Sequence, residues 1–264
     1  MKQFKIAMIG CGGVTTMHFD GYANHKDRIH ITAACDLDPQ RVKQAQEKYG
    51  FDQGFTSVEE MIEGAEWEVG VVCTPTTVRV PIVKTLAAAG KHMMVEKPFA
   101  ETYENAVEMV EIAREAGVKL AVDQNFRFNF PYEHARQLVD EGLIGPVVSV
   151  HHQSLMFRQD QGWRTQTKRH AMSVMGVHWL DGIRWIVRAE PESIFSLTRS
   201  SPAIDCAGET EGITQILFKN GVIASYIESF TIPRRRAESI VVGEKGVLVL
   251  QHDGIAHYTK EDRN

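Results

Sequence analysis

Short apolar runs alternate with segments of helical period through the first half of the chain. The apolar runs have strand length and cover residues 4–9, 29–35, 69–73, 92–95 and 119–122. Between them, apolar positions recur every three to four residues, over residues 15–23, 39–49, 57–63, 77–89 and 102–116. Strands that alternate with helices predict a parallel sheet covered by helices on both faces.

The residues at the ends of the helical segments support this prediction. Ser57 and Glu60 form a capping box, and Pro39 suits the first turn of a helix. Gly50 and Gly90 follow the ends of periodic segments, where a left-handed residue closes a helix.

The pattern changes near residue 124. Helices are predicted over residues 132–141 and 172–187, with a strand at 146–157 and a polar, basic loop at 158–171 between them. Further strand-like runs cover residues 193–199, 212–218, 222–230, 237–242, 247–250 and 255–258. Asn220-Gly221 between two of these runs is typical of a hairpin turn. The fold class is therefore α/β plus α+β: a parallel-sheet domain over residues 1–123, then a domain with a largely antiparallel sheet over residues 124–264.

Composition narrows the classes of function. The 264 residues carry a net charge of −5, which argues against a nucleic-acid partner. No apolar run approaches the length of about 18 residues that a membrane span needs. The first residues do not have the form of a signal peptide, and the 4 cysteines lack the spacing of a disulfide or zinc framework. We therefore expect a cytoplasmic protein with reduced thiols, no membrane association and no metal site.

A glycine-rich turn follows the first predicted strand and opens a helix. It reads Gly10-Cys11-Gly12-Gly13-Val14-Thr15, with Thr15 in the third glycine position of G-x-G-x-x-G. Such a turn brings bare backbone N–H groups and a helix N-terminus to a pyrophosphate. Asp36 ends the second strand, where a carboxylate meets a ribose 2′-hydroxyl and repels a 2′-phosphate. The sequence predicts an NAD site, and nearby Arg41 keeps NADP possible.

Two further places carry candidate chemistry. Lys97 follows the strand at residues 92–95, at the ligand-binding edge of a parallel sheet, although a lysine at a strand end is commonly a surface residue. His178 and Asp181 share one face of the helix predicted over residues 172–187. Such a pair either contributes to proton transfer or forms a structural hydrogen bond, and the local sequence leaves both open.

Taken together, these landmarks resemble the Gfo/Idh/MocA family of glucose-fructose oxidoreductases and inositol dehydrogenases. The resemblance covers nearly the whole chain. It is carried by Gly10-Cys11-Gly12 with His18, Asp36, Thr74-Pro75, Ala89-Gly90-Lys91-His92, Glu96-Lys97-Pro98, Asn125-x-Arg127-Phe128, Leu143-Ile144-Gly145, Trp163-Arg164 and Gly176-x-His178-x-x-Asp181.

The resemblance implies hydride transfer between NAD(P) and a sugar, a sugar derivative or a cyclitol. It implies an N-terminal Rossmann domain and a C-terminal α+β domain for substrate binding and oligomer contacts. Lys97 would bind the substrate hydroxyl, and His178 would take its proton. The implied cofactor-binding residues are Gly10, Cys11, Gly12, Gly13, Val14, Asp36, Thr74, Pro75, Glu96 and Lys97. The implied substrate-binding residues are Lys97, Asn125, Arg127, Arg164, His178 and Asp181.

The chain departs from the family pattern at several positions. Val174 stands where the family often has an aspartate, four residues before the histidine, and valine cannot relay a proton. The usual upstream glycine pair is replaced within the basic segment 168–170, and Arg79 stands where many members carry histidine. Either His178 works without that aspartate, helped by His170 or His152, or the site does different chemistry.

Two basic segments remain to be placed. The loop at residues 158–171 either lines a cleft for an acidic or heavily hydroxylated substrate or is simply solvated. Arg234-Arg235-Arg236 interrupts the late strands, and we expect an exposed turn or the rim of an oligomer contact there.

Three functions follow from these observations. The first is an NAD(P)-dependent oxidoreductase for a sugar-like hydroxyl or ketone. The alternatives are an NAD-dependent glycosidase that oxidises its sugar transiently, and a non-catalytic dinucleotide-binding regulator. Family members are usually longer, so this chain is either compact or truncated. In both cases the second sheet is less covered than usual, which predicts a homodimer or homotetramer through that sheet.

Overall fold

The computed structural model describes residues 2–262. The chain divides into two compact units, Met1–Asp123 and Gln124–Asn264.

The first unit is a parallel sheet of six strands. The strands are β1 (Phe4–Ile9), β2 (Ile29–Cys35), β3 (Gln53–Phe55), β4 (Val69–Val72), β5 (His92–Glu96) and β6 (Leu120–Asp123). Their order is β3-β2-β1-β4-β5-β6, and every pair is parallel, which confirms the predicted sheet. The short strand β3 was missed, because three residues are too few to show a period.

Five helices connect these strands. They are α1 (Thr15–Ala23), α2 (Pro39–Tyr49), α3 (Val58–Gly64), α4 (Arg79–Ala88) and α5 (Tyr103–Glu115). Their starts follow from local chemistry, since Asp38 caps α2, Ser57 caps α3 and Thr102 caps α5, each through its side-chain oxygen. Two hydrophobic clusters pack against the sheet strands. The strand order reverses between β1 and β4, and ligands of such sheets bind beyond the carboxyl ends of the strands at this point.

The second unit is built on a sheet of seven strands. The strands are β7 (Val147–Phe157), β8 (Pro191–Arg199), β9 (Glu211–Phe218), β10 (Ile223–Ser229), β11 (Thr231–Gly243), β12 (Gly246–Gln251) and β13 (Gly254–Thr259). Their order is β13-β12-β11-β7-β10-β9-β8. Strands β7 and β10 are parallel and the other described pairs are antiparallel, as predicted. Helices α6 (Phe130–Asp140) and α7 (Val177–Val187) contribute to the hydrophobic core of this unit.

Three local predictions for the second unit need correction. The helix expected over residues 172–187 begins as a π-helical turn, Met172–Gly176, and becomes α-helical at Val177. The basic loop contains a 3₁₀ helix, Gly162–Gln166. The arginine triplet at residues 234–236 does not form a turn. It lies within β11, where the pairing with β7 changes register between Thr231 and Arg236.

One face of the second sheet is apolar and exposed. Leu197, Ile213 and Ile227 pair across β8, β9 and β10, and their exposed fractions are 60%, 53% and 40%. Along β9 exposed and buried residues alternate, so the opposite face of that strand packs into the core. The sheet therefore exposes a contiguous row of aliphatic side chains.

Within residues 2–262, no helix has both the length and the apolar character needed to cross a membrane. The 4 cysteines of the sequence are free thiols in the structure.

Candidate active site

The glycine-rich turn after β1 is shaped for close approach. Gly10 has φ +95°, and a Cβ there would lie 3.3 Å from the backbone carbonyl of Cys73, so glycine is required. Thr15, in the third glycine position, donates its hydroxyl to the Gly10 carbonyl at 2.8 Å. A Cβ built on Gly12 or Gly13 would meet nothing within 4 Å among the described residues. The turn therefore leaves room beside its backbone at the N-terminal end of α1, where an anionic group is favoured.

Asp36 ties the end of β2 to this turn. Its Oδ2 accepts a hydrogen bond from the Cys11 backbone N–H at 2.8 Å, and its Oδ1 accepts one from the Asp38 N–H at 3.0 Å. The half-buried carboxylate is thus held in one orientation. A negative charge fixed here favours a free ribose hydroxyl over a phosphorylated one.

Arg79 holds together the loops after β4 and β5. Its fully buried guanidinium donates to the Thr74 carbonyl from Nε at 3.0 Å and from Nη2 at 2.7 Å. Nη1 donates to the carbonyls of Glu96, Pro98 and Phe99. One planar cation therefore fixes the loop that carries Thr74 and Pro75 and the loop that carries Lys97. The sequence marked Arg79 only as a departure from the family pattern.

The Thr74 hydroxyl is a second feature of these loops. It is buried, and it has no hydrogen-bond partner among the described residues. Because a buried hydroxyl is normally paired, this oxygen is available to a bound ligand. It fits the cofactor-binding role that the family resemblance implies for Thr74.

Glu96 and Lys97 end β5 and begin the turn that follows. The Lys97–Pro98 peptide bond is cis. Glu96 is buried and accepts a hydrogen bond from His18 Nε2 at 3.0 Å, and Asp123 Oδ2 lies 3.7 Å from the same nitrogen. Lys97 itself is half-buried, and its charge acts on Asp123.

Protonation of His18 explains how this cluster tolerates two carboxylates. Burial alone would lower the pKa of His18, but hydrogen bonds to Cys73 and Glu96 outweigh burial and raise that pKa to about 10. Burial, followed by the charge of Glu96, raises the pKa of Asp123. The ligand atoms of His18, Glu96 and Asp123 lie within 4.8 Å of one another, a spacing that could suit a metal ion. The imidazolium of His18 already supplies a positive charge there.

His178 lies in the first turn of α7 in the second unit. Its side chain is buried, and its ring stacks on Phe126 with centroids 3.8 Å apart. The π-helical turn that precedes α7 is secured by Glu209, whose Oε1 accepts from the backbone N–H groups of His170 and Met172 at 3.0 and 2.9 Å. Val174 lies in this turn as part of the hydrophobic core. Neither the π turn nor the Glu209 contact has a signal in the local sequence.

Arg127 and Asp181 pair with each other. Arg127 Nε lies 2.6 Å from Asp181 Oδ2 and Nη2 lies 2.5 Å from Oδ1. The guanidinium also stacks over the ring of Trp185 at 4.9 Å. This arrangement connects the 3₁₀ helix Asn125–Phe128 to α7. Asn125 is exposed on the same 3₁₀ helix.

Several basic residues of the loop at residues 158–171 are fixed by contacts within the protein. Arg158 makes a two-bond ion pair with Asp160, at 2.9 Å for each bond, and the fully buried His170 contacts the same carboxylate at 3.0 Å. Burial opposes ionisation of Asp160, but hydrogen bonds from His170 and Arg158 hold its pKa below the usual range. Arg164 is half-buried and lies 5.2 Å from the ring of Trp163. Arg158 and His170 are therefore structural anchors.

A buried carboxyl group in this unit was not predicted. Glu228 on β10 is fully buried and accepts hydrogen bonds from Tyr226 and from Ser154, the latter at 2.8 Å. Burial raises the pKa of Glu228 to about 8. The alternation of apolar and polar residues along β10 predicts that the side chain of residue 228 faces inward. Only the fold shows which groups form hydrogen bonds with it.

Comparisons with known proteins agree with this geometry. Residues 4–124 match the family model described as "Oxidoreductase family, NAD-binding Rossmann fold", and residues 132–249 match the "GFO/IDH/MocA C-terminal domain". The chain is 33% identical over 208 residues to the 1,5-anhydro-D-fructose reductase of Ensifer adhaerens, an alignment that covers 76% of this chain and 62% of that protein. It is 27% identical over 263 residues to the D-apiose dehydrogenase of Paraburkholderia graminis, with 96% and 69% covered.

A solved structure supports the same fold. The WlbA dehydrogenase of Bordetella pertussis, solved with NADH and UDP-GlcNAcA, superimposes with a TM-score of 0.90 at 22% identity. That match covers 100% of this chain and 79% of the other. The alignments cover 62%, 69% and 54% of the lengths of three curated relatives, so the chain spans only part of each of them. The two family models together span most of the sequence, and the chain belongs to the Gfo/Idh/MocA family of NAD-binding oxidoreductases.

Proposed function

We propose that this protein is an NAD-dependent oxidoreductase that acts on a hydroxyl or ketone of a sugar, a sugar derivative or a cyclitol. One observation carries the proposal. The bare glycine turn after β1 and the Lys97 turn after β5 lie at the carboxyl edge of one sheet, beside the point where strand order reverses between β1 and β4. The relatives named above are a reductase and a dehydrogenase of sugar-like substrates.

The first unit is proposed to bind the dinucleotide. The Gly10–Val14 turn leaves space at the N-terminal end of α1, the Asp36 carboxylate is held in place, and the Thr74 hydroxyl is unpaired among described residues. These features fit a pyrophosphate, a ribose diol and a further polar contact, and Pro75, Glu96 and Lys97 complete the proposed set. The charge of Asp36 favours NAD, with NADP as the weaker ligand.

The second unit is proposed to bind the substrate. Its proposed contacts are Asn125, Arg127, Arg164, His178 and Asp181. Because Arg127 and Asp181 already pair, they contribute through that fixed pair. Lys97 would donate to the substrate hydroxyl oxygen and stabilise negative charge there.

The glycine turn, Asp36 and Thr74 would hold NAD, and bound NAD would supply the hydride acceptor for the reaction. As the substrate carbon loses hydride, its hydroxyl proton leaves, and we assign its acceptance to His178. The burial of His178 against Phe126 limits the positions that the imidazole can adopt. In the reverse direction His178 returns the proton to the carbonyl oxygen.

A second candidate is a protein that binds NAD without turnover. It is favoured by Val174, which replaces the family aspartate with a buried side chain that cannot relay a proton. The two candidates predict the same affinity for NAD and differ only in turnover.

The test is NADH formation from NAD⁺ with a panel of neutral sugars, sugar acids and cyclitols. We expect net NADH with at least one of them, and a loss of about 10²- to 10⁴-fold in kcat for Lys97→Met and for His178→Gln, with NAD affinity retained. Lys43→Met and His25→Gln, at exposed positions, are matched controls. Tight NAD binding without turnover on every substrate would favour the second candidate, and aglycone release from glycosides without net NADH would indicate a glycosidase.

The exposed sheet face is proposed to mediate self-association. The row of Leu197, Ile213 and Ile227 would be covered in a homodimer or homotetramer, since such a patch is typical of an interface. The free thiols suit a reducing compartment, and we propose a cytoplasmic location.

A further inference from the structure

The second unit contains a cavity of about 1100 Å³. Its wall is formed by the N-terminal end of α6, by Trp179 of α7, and by parts of β11 and β12. Typical cavities for small ligands have volumes of about 300–1000 Å³, so a monosaccharide fits with room for hydration.

The cavity wall contains two polar atoms that are buried and unpaired. Nε2 of His152 and Nε1 of Trp179 have no hydrogen-bond partner among the described residues, and the two side chains line the cavity. His152 is 4% exposed and Trp179 is 8% exposed. Leaving such groups unpaired costs about 1–3 kcal/mol each, so a ligand group that reached these nitrogens through a small shift of the lining would recover that free energy.

A hydrogen-bonded network orients the imidazole of His152. Its Nδ1 lies 2.6 Å from the hydroxyl of Ser239, which lies 2.6 Å from the hydroxyl of Tyr132. The ring stacks on Trp179 with centroids 4.4 Å apart. Burial lowers the pKa of His152 to about 3, so the ring is neutral at pH 7. Nδ1 can accept from Ser239, which leaves Nε2–H as a donor beside the indole N–H.

The lining of the cavity is basic. Arg234, Arg235 and Arg236 all line it and are exposed. Arg236 pairs with Glu238 at 3.0 Å, and Asp253 is the other acidic residue of the lining. Three arginines against two carboxylates leave an excess of positive charge. Guanidinium groups bind carboxylates and phosphates in a bidentate manner.

We propose that this cavity binds a polyhydroxylated molecule that carries a carboxylate or a phosphate. Its hydroxyls accept hydrogen bonds from Trp179 and His152, and its anionic group meets Arg234 and Arg235. This site goes beyond the proposed function, because it uses none of the residues assigned to the reaction and its occupancy needs neither NAD nor turnover.

The test is direct binding to the full chain without cofactor. The probes are D-glucuronate, D-glucose 6-phosphate and neutral D-glucose. The chain has 4 tryptophans, so its ¹H–¹⁵N spectrum contains few indole signals, and Trp179→Phe identifies the one from Trp179. We expect at least one anionic probe to shift that signal and to bind at least about tenfold more tightly than glucose, because ionised groups form the stronger hydrogen bonds. Tighter binding of D-glucuronate would indicate a carboxylate ligand, and tighter binding of D-glucose 6-phosphate would indicate a phosphate ligand.

Variants test the two halves of the site separately. The double substitution Arg234→Gln and Arg235→Gln changes only exposed side chains, so we expect normal folding and a loss of about tenfold or more in affinity for the anionic probe. Arg199→Gln, an exposed arginine on β8, is the matched control. Trp179→Phe keeps an aromatic ring and removes the N–H, and it should weaken binding without abolishing the fold.

Three results would overturn the proposal: no shift of the Trp179 signal with any probe, unchanged affinity in the double arginine variant, or preference for neutral glucose. Failure here would leave NADH formation in the turnover assay unaffected. Loss of turnover with intact probe binding would instead count against the proposed function alone.

Discussion

Arg127 donates two parallel hydrogen bonds, of 2.6 and 2.5 Å, to the carboxylate of Asp181 in the second unit. Asp181 is only 14% exposed, so its carboxylate has little contact with water and relies on Arg127 for hydrogen bonds. We expect Arg127→Met to lower the free energy of unfolding by about 2–3 kcal/mol, because it leaves a largely buried carboxylate unpaired.

Denaturant unfolding measures this change. Arg114→Met is the matched control, since its partner Glu111 is solvated and an exposed pair contributes little. Equal effects of the two substitutions would show that the Arg127 pair has no special structural role.

Substitutions of Arg79 should change both the free energy of unfolding and the turnover rate. Its removal leaves the carbonyls of Thr74, Glu96 and Pro98 without their shared donor, so we expect Arg79→Met to cost about 3 kcal/mol or more. Arg79→Lys keeps the charge but offers no planar fork, and we expect it to fold and to lower kcat more than NAD affinity. Unfolding curves and steady-state kinetics of both variants check this. A lysine variant with normal kcat would contradict a role in positioning Lys97.

Asp36 should determine the choice of cofactor. Asp36→Asn retains an oxygen for the Cys11 N–H and removes the negative charge. We expect the ratio of NADPH affinity to NADH affinity to rise by about tenfold or more, because repulsion of the 2′-phosphate is removed. Fluorescence titration with both reduced cofactors measures the ratio, and Asp20→Asn is an exposed control. An unchanged ratio would exclude Asp36 as the discriminating residue.

Glu228 should make the protein less stable as the pH rises. Burial raises its folded-state pKa from 4.5 to about 8, so between these values the unfolded chain releases a proton that the folded chain retains. The stabilisation present below pH 4.5 is therefore lost progressively up to pH 8, by an amount on the order of a few kcal/mol.

Glu228→Gln mimics the protonated acid and should flatten this decline. Urea unfolding of both proteins between pH 5 and pH 8 measures it, with the exposed Glu141→Gln as control. Parallel pH profiles for wild type and Glu228→Gln would contradict the assignment.

Ile213 lies in the middle of the exposed aliphatic row, opposite Leu197 on one side and Ile227 on the other. We expect Ile213→Lys to weaken self-association without unfolding the chain, because a lysine in a packed interface must be desolvated. Light scattering over a range of concentrations detects the change, and Gln40→Lys, at an exposed position of α2 in the first unit, is the control for added charge. A wild-type protein that is monomeric at working concentration would refute the proposed assembly.

Much of the fold could be predicted because it depends on local periodicity. The six-stranded sheet and its helices follow from apolar runs and caps such as Ser57, which act within one or two turns. The hairpin at Asn220-Gly221 formed as expected, with Gly221 at φ +84°. Apart from the very short strand β3, the errors lie where distant contacts override local preference. The π turn at Met172–Gly176 is held by Glu209, 37 residues beyond Met172.

The candidate site shows the same division. Motifs and residue types alone predict roles for Gly10, Asp36, Lys97 and His178, since each has a chemical character that its position in the pattern makes useful. They could not show that Asp181 forms an ion pair with Arg127. The sequence gives the spacing of residues along one helix, but it does not give the contacts of that helix with residues from other segments.

The sequence by itself determined the order of elements, the glycine turn, and the family to which the chain belongs. The tertiary structure alone decided that Arg79 joins two loops, that Glu228 is a buried acid, and that the largely buried His152 and Trp179 line a cavity. The physical reason is that periodicity and capping are short-range properties of neighbouring residues. The partners of a buried polar group are set by packing between segments far apart in the chain.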